Sequence, residues 1–499
     1  MHPDHDLALA PAVRQLEALA AGEVSSRDLL EVFLARIAEH GPALNAVVTL
    51  DVDRARRDAG DADRARAAGE PLGVLHGLPV TVKDSYETAG LRTTCGRRDL
   101  ADHVPTRDAE AVARLRRAGA VVFGKTNLPP WNADVQADNP IFGRTNNPWD
   151  HSRTSGGSAG GGAAATATGL TAFDYGSEIG GSTRIPSHFC GLYGHKTTWR
   201  SVPLVGHIGR GPADPGRRAE IDLACAGVQA RDARDIAPAL HATVGTLPRD
   251  GGFTYTLAPP RAGALRDFRV AVWSEDPACP VDSDVRRAID QAVAAARAAG
   301  ATVVEHAPLP VDIAESQRAF DPLLYGAPII ERSGIRLAEQ AALTLSALRS
   351  PRGAAASALR GIFQRHTTWL AADAARHEIR DRWTRFFDDV DVLLLPVTPT
   401  AAPPHHGDDL NRYARHIDVD GERRSYWDQM AWNALANVAG APATTIPVTS
   451  TATGLPVGIQ AMGAAGDDLT TIEFAALLGA QLQGYRVPPG VTTSSALTG

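Results

Sequence analysis

Between residues 26 and 41, apolar side chains return every three or four positions. Leu29, Leu30, Phe33 and Ile37 fall on one helical face, Ser25 or Ser26 stands where a cap is needed, and Gly41 offers a stop. The first 75 residues read as helical. From about residue 71 the spacing changes. Leu78-Pro-Val-Thr-Val-Lys83 alternates with period two, Val112 to Ala118 carries a helical stripe closed by Gly119, and Ala120-Val-Val-Phe123 reads as a buried strand. The same grammar returns in a strand at Arg269-Val-Ala-Val-Trp273, a helix over Asp284 to Ala299 and a strand at Thr302–Val304. Thr171–Tyr175, Asp391–Leu395 and Ala443–Pro447 read as further buried strands. Strand–helix–strand order predicts an α/β fold, a layered sheet with helices on its faces. Residues 205–265 and 312–375 are less regular and are expected to be covering elements rather than separate domains.

Composition narrows the possibilities without choosing among them. The 499 residues suffice for a sizeable core, and a net charge of −7 gives no reason to expect nucleic acid or an acidic membrane surface as partner. No apolar run approaches the roughly 18–20 residues that span a bilayer. The N-terminus, Met1-His-Pro-Asp-His-Asp, does not resemble a signal peptide. Four dispersed cysteines without a CxxC pair argue against a zinc site or disulfide framework, so the expectation is a cytoplasmic protein without metal or cofactor. One bias is more telling. Lys and Arg total 50, yet only Lys83, Lys125 and Lys196 are lysines. Arginine replaces lysine as a surface charge but cannot serve as a general base. All three lysines fall in one region of the chain.

That region also holds two glycine- and serine-rich clusters. Thr154-Ser-Gly-Gly-Ser-Ala-Gly-Gly-Gly162 precedes an alanine run. It is readable as a flexible linker, as a phosphate loop lacking the Gly-Lys-Ser/Thr ending, or as the G-x-S-x-G elbow of an α/β-hydrolase esterase with Ser158 as nucleophile. The esterase would need a downstream histidine, for which His405 and His406 are available. The second cluster is Gly176-Ser-Glu-Ile-Gly-Gly-Ser182-Thr-Arg-Ile-Pro186. Two glycines before a serine allow a sharp turn with unencumbered N–H groups, the geometry of an oxyanion hole beside a nucleophile.

Together with Gly77-Leu-Pro-Val-Thr-Val-Lys-Asp84, Gly124-Lys-Thr-Asn127, the Asn139–Asp150 stretch, Asn437-Val-Ala-Gly-Ala-Pro442 and Gly454-Leu-Pro-Val-Gly-Ile-Gln460, these clusters resemble the amidase signature family. The resemblance implies one large α/β/α domain over residues 1–499, with a central mixed sheet covered by helices. Its parts would be an N-terminal helical segment (1–75), a signature core (76–200), a variable covering region (205–390) and a C-terminal part of the core (391–470). It implies Ser182 as nucleophile, Ser158 after a cis peptide bond as proton relay and Lys83 as base. The N–H groups of Ile179, Gly180, Gly181 and Ser182 would hold the oxyanion, and Lys125 and Lys196 would be structural. The implied reaction is hydrolysis of an amide, aryl acylamide or carbamate by way of an acyl-enzyme, with a small-molecule substrate as partner and a monomer or homodimer as the working form. An esterase using Ser158 and an amidotransferase subunit that works within a complex are the rival readings.

The chain departs from the family pattern at three places. Ala159 stands where a second serine is usual, Glu178 where aspartate is common, and Gly194-His-Lys-Thr-Thr198 replaces Gly-Leu-Lys-Pro-Thr. Trp131 and Phe142 are equally readable as pocket wall or as core.

Overall fold

The computed structural model describes residues 4–208, 220–247, 250–304, 306–326, 337–350, 353–407 and 412–491. Eleven strands form one mixed sheet flanked by helices. They are β1 Val47–Leu50, β2 Pro79–Lys83, β3 Val121–Thr126, β4 Asp174–Glu178, β5 Tyr193–Lys196, β6 Cys225–Ala230, β7 Arg269–Val272, β8 Thr302–Val304, β9 Val392–Pro396, β10 Ala443–Ser450 and β11 Pro456–Met462. Their spatial order is β1-β3-β2-β4-β6-β5-β10-β11-β9-β7-β8. Pairing is parallel along β3-β2-β4 and β9-β7-β8 and antiparallel elsewhere. The helices that matter for the site are α1 Ser26–Leu44, α2 Glu110–Arg117, α3 Gly160–Ala167, α4 Arg184–Cys190, α5 Ser283–Ala298, α6 Ile313–Gly326, α7 Ala431–Ala439 and α8 Asp468–Gly479.

Four expectations are corrected. The N-terminal 75 residues are not all helix, because Val47-Val-Thr-Leu50 forms β1 against β3. Ser25 does cap α1, accepting from Asp28 N, but the helix passes Gly41 and ends at Leu44. Pro42 lies inside the last turn at the cost of one i→i−4 hydrogen bond, and Asn45, which tolerates left-handed backbone, supplies the stop at φ 51. The strand placed at Thr171–Tyr175 begins three residues later, where pairing with β2 starts at Thr81↔Asp174. Finally, the stretch beyond 205 does more than cover the core, since β6 lies inside the sheet between β4 and β5. Its sequence, Cys-Ala-Gly-Val-Gln-Ala, has one β-branched residue and no alternation, so burial on both faces rather than pattern makes it a strand.

Helix α3 is built only of glycine, alanine and threonine and is buried along its whole length. Its small side chains let it pack closely against α4 and against β2, β3, β4 and β6. The glycine-rich segment is therefore a core element and not a linker. Among the described residues, no helix is long and apolar enough to cross a membrane.

Candidate active site

Because β2 and β4 are parallel neighbours, their carboxyl ends open at the same edge of the sheet, where α/β folds place their ligands. Lys83, the last residue of β2, thereby meets Ser177 and Glu178 at the end of β4. The Lys83 Nζ lies 2.7 Å from Ser158 Oγ, 3.2 Å from Ser177 Oγ and 3.2 Å from the Ser177 carbonyl oxygen. Ser158 reaches this point from the loop before α3, through a cis Gly157–Ser158 peptide. Only glycine fits at 157, where a Cβ would stand 2.5 Å from Gln136 N and 2.7 Å from the Asp134 carbonyl. Ser182 arrives from the turn between β4 and α4. The Ala159 N–H donates to the Ser182 carbonyl at 3.0 Å and ties the two serine loops together. Lys83, Ser158, Ser177 and Ser182 line one cleft.

Burial decides the charge of the lysine. Lys83 is inaccessible to solvent, and desolvation pushes its amine down to about 7, against the opposing pull of Cys95, Asp174 and Glu178. The other two lysines are buried as well but turned elsewhere. Lys125, pushed down to about 8 by burial, donates to the Tyr86 carbonyl and to Thr88 Oγ1. Lys196 donates to the carbonyls of Ala441 and Thr197. Neither binds a serine hydroxyl of the cleft.

The turn carrying Ser182 is organised around Glu178. Its carboxylate accepts from the N–H groups of Gly181 at 3.0 Å, Thr183 at 3.1 Å and Arg184 at 3.3 Å, and from the Arg184 guanidinium, with Nε at 2.9 Å. Arg184, also fully buried, extends the network to Gln460 Oε1, the Asn433 carbonyl and Asn437 Oδ1. The Gly181 N–H is thus directed at Glu178. Of the four expected oxyanion donors, the N–H groups of Ile179, Gly180 and Ser182 have no acceptor among the described residues.

The third departure from the family pattern is structural. His195 is buried in β5, with Nδ1 2.9 Å from Thr444 Oγ1 and Nε2 3.2 Å from Asp468 Oδ1 at the start of α8. Asp468 also accepts from Thr198 N and Oγ1. Thr197, where proline is usual, donates its N–H to the Ala226 carbonyl at 3.1 Å, a bond proline cannot make. His195→Leu should therefore lower stability by about 1–3 kcal/mol, the loss of two buried hydrogen bonds, one of them to a carboxylate. It should change kcat less than about threefold, roughly what 0.7 kcal/mol would give. Denaturant unfolding and steady-state kinetics on the same preparation check both halves.

The remaining candidates sort clearly. His405 and His406 do not line the cleft, so neither is placed to serve Ser158 in an esterase triad. A phosphate cradle before α3 is blocked, because the N–H groups of Ala159 and Gly161 are already given to Ser182 O and Asn127 O. Trp131 lines the cleft, held at a left-handed φ of 64, with the Arg97 guanidinium 3.7 Å from its ring centroid. Phe142 does not line it. Two residues of the site, Ser177 and His207, are not singled out by any pattern in the sequence. Among the described residues, no group of three or more His, Cys, Asp or Glu side chains could share a metal ion.

Comparison with known proteins agrees with this architecture. The family model described as Amidase matches residues 28–472. The chain is similar to the A-subunit of glutamyl-tRNA(Gln) amidotransferase from Roseiflexus sp. (strain RS-1), with 32% identity covering 94% of this chain and 95% of the relative. The same-named protein of Synechococcus sp. (strain CC9605) is 31% identical, covering 92% and 93%. Among solved structures, an amidase superposes with a TM-score of 0.75 at 26% identity, covering 95% of this chain and 100% of the other. A substrate complex of 6-aminohexanoate cyclic dimer hydrolase superposes with 0.77 at 25%, covering 97% and 100%. The chain belongs to the amidase signature family of enzymes acting on carbon–nitrogen bonds.

Proposed function

We propose that this chain acts alone as a hydrolase of neutral, largely apolar amides, aryl acylamides or carbamates, with Ser182 as nucleophile, Ser158 as relay and Lys83 as base. The observation that carries the proposal is the 2.7 Å contact between Lys83 Nζ and Ser158 Oγ in a site dry enough to leave a substantial fraction of the amine uncharged at pH 7. Ser182 Oγ attacks the substrate carbonyl carbon while its proton passes to Ser158, and the proton of Ser158 passes to Lys83. The carbonyl electron pair moves onto oxygen, facing the free N–H groups of Ile179, Gly180 and Ser182. Collapse of the tetrahedral species breaks the C–N bond, and Lys83 returns the proton through Ser158 to the leaving nitrogen. Water then repeats the sequence on the acyl-enzyme.

The cleft wall supports the substrate class. Trp131, Val135, Ile179, Leu324, Trp427 and Met430 line it, and the carboxylate of Asp134 is already engaged by Arg415 at 2.8 Å and by the Tyr426 hydroxyl at 2.8 Å. Among the described residues, Lys83 is the one cationic side chain in the lining. A wall of this kind suits an uncharged, apolar acyl or amine portion better than free glutamine, whose charged α-carboxylate and α-ammonium would lie against it. The test uses the purified chain alone. Anilides, aliphatic amides and carbamates should be turned over and glutamine should not, and a fluorophosphonate adduct should map to Ser182. Glutamine hydrolysis matching that of the anilides would favour the amidotransferase reading, and an adduct on Ser158 would reverse the two serine roles.

A further inference from the structure

Lys83 Nζ has three neighbours, and a neutral amine cannot treat them alike. It has two N–H groups and one lone pair. To act as base toward Ser158, the lone pair must face Ser158 Oγ, so both N–H groups must go to the Ser177 carbonyl and the Ser177 hydroxyl oxygen. The carbonyl can only accept. The hydroxyl is ambiguous: if its own proton pointed at Lys83, it would occupy the lone pair and turn an N–H toward Ser158, leaving the base misdirected. Whatever takes the Ser177 proton therefore sets the orientation of the base.

The group in position to take it is His207, whose Nε2 lies 2.7 Å from Ser177 Oγ. The ring is fixed from three sides. Ile208 N–H donates to the Ser85 carbonyl at 2.7 Å and Glu87 N–H donates to the Gly206 carbonyl at 3.0 Å. This clamps the backbone of His207 onto the segment that follows Lys83, where Tyr86 and His207 also form an antiparallel bridge. The Tyr86 ring meets the imidazole edge-on, with centroids 4.8 Å apart.

We propose that His207 is a positioning residue, its Nε2 accepting the Ser177 hydroxyl proton so that the lone pair of Lys83, the base proposed above, is left facing Ser158. The imidazole is then the neutral tautomer with its proton on Nδ1. Burial, with the neighbouring Lys83 and Lys125, keeps the ring neutral by pushing it down to about 3.

Two polar substitutions of different reach test this. Glutamine carries its oxygen about as far out as Nε2 and asparagine falls short, so His207→Gln should keep kcat within about threefold. His207→Asn should lower it by about 10- to 100-fold, with KM changed less than about threefold, as loss of one buried, orienting hydrogen bond would give. A ring needed only for packing would not distinguish the two amides. In addition, Ser177→Ala/His207→Asn should be no slower than Ser177→Ala, because the histidine acts through that hydroxyl. Wild-type kcat in His207→Asn, equal losses in both amide variants, a change confined to KM, or additive losses in the double variant would each overturn the proposal. Lys83→Met separates the layers. If it is inactive while His207→Asn is fully active, only the role of His207 fails; if Lys83→Met is active, the assignment of the base fails.

Discussion

Lys83→Met is expected to lower kcat by about 10³-fold or more while leaving the protein at least as resistant to unfolding, because in the proposed mechanism nucleophile and relay both depend on this base and are disabled together. The stability half follows from the sign of the shift. The amine is about 10.5 in the unfolded chain and about 7 in the folded one, so between those values unfolding takes up a proton. Folding is therefore penalised by Lys83 below pH 10.5, increasingly as the pH falls toward 7, at about 1.4 kcal/mol per pH unit. Methionine fills a similar volume and carries no such penalty. For the unmodified protein, the acidic limb of kcat/KM should lie near pH 7, with activity rising as Lys83 deprotonates. His207 should add no limb near 6.5, since burial holds its ring far lower. Kinetics from about pH 5 to about 10, with urea unfolding of both proteins, measure all of this. Loss of activity accompanied by a collapsed unfolding midpoint would mean that Lys83 is structural.

The scarcity of lysine marks a region of the chain, and the family resemblance, not the count, singles out Lys83 within it. All three lysines are buried, and only one of them touches a serine of the cleft. The motifs rich in Gly and Ser were also legible, because glycine at 157 answers a close approach of backbone that no other residue allows. The α/β order was legible wherever strands carried Val, Ile or Leu, as in β2, β7 and β9. What escaped were features set by pairing rather than composition. Strand β6 has no alternation and gains its identity from β4 and β5 on either side. Ser177 acquires a role because parallel strands end side by side, and His207 because its loop docks on Tyr86. The set of free donors in the Ser182 turn escaped for a related reason. The motif supplies four N–H groups, but which of them stay free depends on where the Glu178 side chain folds back.

That folding back makes Arg184→Leu the most destabilising change expected at the site. The Glu178–Arg184 pair is inaccessible to solvent, so removing the guanidinium strands a carboxylate in the interior at a cost of about 3–5 kcal/mol. In the unmodified protein, burial alone would push the Glu178 carboxyl up. The charge and hydrogen bonds of Arg184, then Lys196 and the Thr183 amide, outweigh that and hold it below its ordinary value of 4.5. A carboxyl depressed in the folded state stabilises above its unfolded value and loses that contribution as the pH falls through the lower folded value. Arg184→Leu should reverse the slope. With only Lys196 and the N–H groups of the turn left to oppose it, burial should raise the carboxyl above 4.5, so stability should decline as the pH climbs past 4.5. The unmodified protein, by contrast, gains stability from this group with rising pH only below 4.5 and is level above it. Glu178→Leu/Arg184→Leu separates stability from catalysis. Replacing both members of a buried pair with apolar side chains is often close to neutral for stability, so the unfolding midpoint should recover most of its loss. Activity should not recover, because the N–H groups of Gly181, Thr183 and Arg184 still lack the acceptor that shapes the Ser182 turn. Unfolding curves from about pH 3 to about 8, with kcat for each variant, are the measurement. Recovery of activity along with stability in the double variant would show that the carboxylate anchors the fold without setting the geometry of the nucleophile's turn.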